Sequence, residues 1–82
     1  VDALSVAAAT VDRELADNPS VHAALGRAIG VAWFSLGKLD VAEQRLRDSL
    51  TVHRQRHGDD DLRTLRVQLD LVCVLLARGQ VD

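Results

Sequence analysis

His53 and His57 stand four residues apart, the spacing at which two imidazoles share one helical face and can grip a metal ion. Arg54, Gln55 and Arg56 lie between them, charges that repel a cation, and neither a third ligand nor a general base follows. The pair therefore reads as a solvated polar face. Asp59-Asp60-Asp61 gathers three carboxylates but lacks the alternating ligands and the closing glutamate of a calcium loop, so it reads as a helix-capping run. Cys73 lies in a Leu- and Val-rich stretch and reads as a small buried hydrophobe rather than a nucleophile. His22 has no serine or cysteine arranged beside it, and no glycine-rich phosphate loop is present. The expectation is a chain that is no enzyme, with no catalytic residue, no metal and no cofactor. Arg27 and Arg66 remain, each able to clamp a ligand carboxylate in a bidentate fork or simply to stand as a solvated helix arginine.

The elements that must position these residues follow from periodicity. Leu4, Ala8, Val11 and Leu15 recur at helical spacing in a first segment of about residues 2–16. Asp17-Asn18-Pro19-Ser20 interrupts it, with Asn18 placed to cap a second helix and Pro19 at that helix's first position. Over residues 19–36 an apolar stripe of Val21, Ala24, Leu25, Ala28, Ile29, Ala32, Trp33 and Leu36 runs nearly unbroken, and Gly37 closes it. Gly26 and Gly30 inside that helix each cost about 1 kcal/mol relative to alanine, which suggests another backbone packed very close.

A third segment over residues 39–57 turns Leu39, Ala42, Leu46 and Leu50 inward and leaves Arg45, Arg47, Arg54 and Arg56 as a solvated face, with Gly58 as its stop. In a fourth, over residues 60–78, Leu62, Leu65, Leu69, Val72 and Leu76 line one side, and Val67, Leu71, Val74 and Leu75 carry the apolar surface nearly all round. Such a helix expects neighbours on both sides. Four helices joined by short loops predict an all-α fold of antiparallel neighbours.

The 82 residues suffice for one domain at most, and with only Trp33 and Phe34 as aromatics the core must be built from Leu, Val and Ala. The net charge of −2 gives no general attraction to nucleic acid or anionic lipid, and no apolar run approaches the length of a membrane span. A single cysteine excludes an internal disulfide and agrees with a reducing, cytoplasmic setting. Nine arginines against one lysine, with abundant Ala and Val, point to a GC-rich coding sequence and a bacterial source.

The chain also nearly repeats itself: Leu36-Gly37-Lys38-Leu39-Asp40 returns as Arg78-Gly79-Gln80-Val81-Asp82, 42 residues later. A fixed period in this range is the signature of stacked helical repeats. Ile29-Gly30 with Trp33, then Gly37, Leu39, Ala42, Leu46 and Ser49, resemble the signature positions of a tetratricopeptide repeat. In the second copy Leu71-Val72, Leu75 and Gly79 fall at the same places, and Gly26 stands where the family carries an early tryptophan. The longer period is similar to the extended repeats of kinesin light chains and of bacterial regulator arrays. The resemblance implies an antiparallel helix-pair solenoid: residues 1–18 as the second helix of a preceding repeat, 19–58 as a full repeat and 59–82 as the first helix of the next.

It also implies a concave groove that holds a protein or peptide segment. The positions carried over to that groove are Arg27, Val31 and Phe34 in the first copy and Arg66, Leu69 and Cys73 in the second, flanked by Ala24, Ser35, Leu76 and Ala77. Phe34 is either an exposed anchor for the partner or packing against the next repeat. The function expected is a protein- or peptide-binding scaffold module of a larger protein. The alternative is the sensor and regulatory part of a signalling ATPase or transcription regulator. Fewer than three repeats is short for a solenoid, so the 82 residues alone are expected to be weakly folded or to self-associate through segments one and four.

Overall fold

Each helix boundary has a local cause. In the computed structural model, which describes residues 2–81 and the side chains of residues 2–79, α1 spans Ala3–Glu14 behind Asp2, whose Oδ1 accepts the Ser5 N–H at 2.7 Å. The α2 helix spans Pro19–Ser35, capped by Asn18 Oδ1 accepting from the Val21 N–H. It ends in a full Schellman turn: the Lys38 N–H donates to the Trp33 carbonyl and the Gly37 N–H to that of Phe34, each at 2.9 Å. Gly37 sits at φ +77°, where a Cβ would be strained. The α3 helix spans Leu39–His57 and stops at Gly58, φ +86°. The α4 helix spans Leu62–Val81; of the acidic run before it, Asp61 does the capping, its Oδ1 accepting the Arg63 N–H at 2.8 Å. The Arg63 guanidinium, and then that backbone bond, hold the Asp61 carboxyl far below the usual carboxylate range.

All described secondary structure is helical. The α2–α3 interface is the most extensive, followed by α3–α4 and α1–α2, and α2 touches α4 least. The Cα trace fills 35 × 34 × 13 Å, a slab in which every helix keeps a face toward solvent. Its core is one continuous cluster: Ala8 from α1, Ile29 and Trp33 from α2, Ala42, Leu46 and Leu50 from α3, and Val67, Leu71 and Val74 from α4. Leu46 is fully buried at the centre, and burying a leucine stabilises by about 1.5–3 kcal/mol.

Three sequence expectations change here. The buried face of α2 is Ala23, Gly26, Ile29, Gly30 and Trp33; Val21, Ala24, Leu25, Ala28 and Leu36 are exposed. Gly30 is packed closely, but by a side chain rather than a backbone: an added Cβ would lie 3.0 Å from Leu46 Cγ and 3.3 Å from Arg45 Cβ. Nothing approaches within 4 Å of a Cβ at Gly26. Finally, α4 runs on through Gly79 rather than repeating the Gly37 turn. Glycine permits the left-handed conformation without demanding it; at Gly37 the demand comes from the two bonds that fold Lys38 back onto α2.

Candidate protein-binding surface

The surface begins with how α4 is set against the rest. Thr64, Val67, Leu71 and Val74 form its inward stripe, with Thr64, Val67 and Val74 wholly buried. Thr64 Oγ1 donates to the Gly58 carbonyl at 2.7 Å, so its hydroxyl is satisfied by the turn that precedes the helix. On the opposite side, about 180° round the helix, Leu62, Leu69 and Leu76 are 67%, 64% and 64% exposed, with Leu65 and Val72 nearly half exposed between them. These five recur at spacings of three and four over the length of the helix, the seam pattern that accepts a second helix.

Two ion pairs link alternate helices. Arg27 Nε on α2 donates to Asp70 Oδ2 on α4 at 2.6 Å, partly buried. Arg45 on α3 makes a bidentate pair with Asp12 on α1 at 2.8 and 2.9 Å. At the far end of α4, Arg78 reaches Asp40 and lies 3.3 Å from Glu43, both on α3.

The six predicted groove residues divide. Arg66, Leu69 and Cys73 are exposed on the outward half of α4. Cys73 is therefore not the buried small hydrophobe that its neighbours suggested: it lies on the side of α4 away from Val67 and Val74. Val31 is half-buried, and Phe34 packs against the core cluster. Arg27 faces α4 and is held by Asp70. No local motif marks this partner, 43 residues away.

The histidine pair also reads differently. His53 is buried, 3% exposed, while His57 is half-buried beside it with ring centroids 5.5 Å apart. Burial, then the neighbouring His57 and Arg63 charges, push the His53 imidazole below its ordinary value. His53 Nδ1 and Trp33 Nε1 are buried with no hydrogen-bond partner. Among the described residues no group of three or more His, Cys, Asp or Glu side chains is placed to hold a metal ion.

A second feature lies on the other side of α2. Asp12 Oδ1 also receives His22 Nε2 at 2.8 Å, so Asp12, His22 and Arg45 join α1, α2 and α3. The Arg45 bonds first, then His22, hold the Asp12 carboxyl down at about 2. Arg45, expected on a solvated face, is drawn in by this pairing and is only half-exposed. Sequence reasoning missed the cluster because its members come from three helices.

Among the described residues no helix is long and apolar enough to cross a membrane. No family model matches this chain, and neither a curated protein nor a solved structure matches it.

Proposed function

We propose that the chain is a binding module of stacked helix pairs, of the tetratricopeptide type, that takes a helix or peptide segment of another protein on the outward face of α4 and the adjoining Arg66–Cys73 surface. The observation that carries this reading is the exposed stripe of Leu62, Leu65, Leu69, Val72 and Leu76 on a helix already anchored by its other face. A contiguous apolar face of this kind marks an interaction surface. Stacking of the tetratricopeptide type is supported by the close approach of Gly30 to Leu46, by buried Ala42 and Ser49, and by the bridges from α1 to α3 and from α2 to α4. Arg66 would orient an acidic partner segment at the rim.

The test compares proteins captured from lysate by the wild type and by a Leu69→Glu/Leu76→Glu variant. Both positions are exposed, so the variant is expected to keep its melting temperature while losing specific partners. Retention of every captured protein by a folded variant would sink the reading. Phe34 is unsuitable for this purpose, because a charge there would disturb the core.

A further inference from the structure

The two glycines of α2 differ in a way that packing does not explain. At Gly30 the missing Cβ makes room for Leu46 and Arg45. At Gly26 nothing lies within 4 Å of where a Cβ would stand, yet the residue is buried. A mid-helix glycine costs about 1 kcal/mol relative to alanine, and here no neighbour requires it. What its bare backbone does is deepen a half-open cleft of about 330 Å³ between α2 and α3, within the size range of ligand sites.

The cleft is lined by apolar and charged groups. Buried Ala23 and Gly26 give it an apolar floor, with half-buried Val52 and exposed Val41 beside them. Ser49 Oγ, in the wall, already donates to the Ala23 carbonyl at 2.7 Å. Two carboxylates stand at the rim, in different conditions. Asp12 is saturated, one oxygen accepting from both His22 and Arg45 and the other from Arg45. Asp48 accepts the Gln44 side-chain amide at 2.9 Å; among the described residues it forms no ion pair, though the Arg45 charge is near enough to feel it. The charged lining holds two aspartates, Asp12 and Asp48, against one arginine, Arg45, and both Arg45 and His22 are engaged by Asp12.

We propose that this cleft is a binding site for a small aryl-alkylamine, its ring over Gly26 and its ammonium against Asp48. The floor offers apolar contact without a side chain in the way, and Asp48 offers an acceptor whose remaining oxygen is open to a cation. The site is lined by α1, α2 and α3, shares no lining residue with α4, and is independent of the protein-binding reading.

The probe is tryptamine, titrated into the protein and followed by amide resonances, with indole and indole-3-acetate as neutral and anionic counterparts. Tryptamine is expected to move the Gly26, Gln44 and Val52 amides with a dissociation constant of about 1 mM or tighter. Indole should bind more weakly and indole-3-acetate not at all. Asp48→Asn should weaken tryptamine by about fivefold, the worth of one exposed ion pair. Gly26→Leu should fill the cleft and abolish binding while the melting temperature is held or raised; Gly26→Ala serves if the leucine variant unfolds, and should weaken binding with no loss of stability. Absence of shifts at these amides, equal binding of amine and acid, or undiminished binding by folded Gly26→Leu would each overturn the proposal.

Discussion

The two faces of α4 are both apolar, and the bulkier one points outward. The inward stripe consists of Thr64, Val67, Leu71 and Val74, three of them β-branched; the outward stripe holds four leucines and a valine. Hydrophobicity alone would have buried the leucines. The helix is turned the other way by particular partners: Asp70 held by Arg27, Thr64 bonded to the Gly58 carbonyl, and Arg78 reaching Asp40 and Glu43. The compact inward stripe also seats α4 against Leu46 and Leu50 within one core cluster. A few directional contacts thus choose between two faces that the hydrophobic effect leaves nearly degenerate, and the face they reject becomes available for recognition.

The most forceful way to break this comparison is to place a charge on each face. Val67→Asp buries an unpaired carboxylate where no water reaches, and should lower stability by about 3 kcal/mol or more, enough to unfold a chain of this size. Leu69→Asp, its outward counterpart, should stay within about 0.5 kcal/mol of wild type. Urea denaturation of the two variants measures both, and equal losses would show that the outward stripe is covered in solution.

A smaller contrast separates the glycines. Gly30→Ala drives a Cβ to 3.0 Å from Leu46 and should destabilise, whereas Gly26→Ala meets nothing and should stabilise by about 1 kcal/mol. Thermal melts of the pair would decide it, and a loss at Gly26 would remove the physical basis for an open cleft.

The mildest effect is on pH. The imidazole of His53 is pushed below its ordinary 6.5, first by burial and then by the neighbouring positive charges, so the unfolded chain binds the proton more readily than the folded one. Its contribution to stability is therefore complete above about pH 6.5 and is lost as the pH falls from there through the folded value. His53→Leu should flatten that part of the stability profile, and hydrogen exchange at pH 5.5 should show the start of α4 opening before α2. An unchanged profile would mean that His53 takes up its proton freely in the folded state.

Much of the fold was legible in the residues. The α3 limits, the Asn18–Pro19 start of α2, and the stops at Gly37 and Gly58 are written in local capping chemistry, which depends on neighbours a few positions away. The rotation of a helix is not local. Ala23 and Gly26 on α2 and Val67 on α4 are buried because of what α3 presents to them, and the tertiary pairs Asp12–Arg45 and Arg27–Asp70 have no sequence signature. For the same reason the exposure of Cys73, the engagement of Arg27 and the cleft at Gly26 were not readable in the sequence. His53 failed in the opposite sense: flanking arginines suggested a wet face, but the stripe of Leu46, Leu50 and His53 carries it inside.

The slab holds a single tryptophan, and its position makes it an optical reporter of one event. Trp33 is 9% exposed, and the depression over it is bounded by Ala8 and Ala9 of α1 and by Val41 and Arg45 of α3. Release of α1 alone would wet the indole and shift its emission to the red while helical circular dichroism fell by little more than the twelve residues of that helix. The fluorescence of this protein therefore reads the docking of its first helix, while its ellipticity is dominated by the other three.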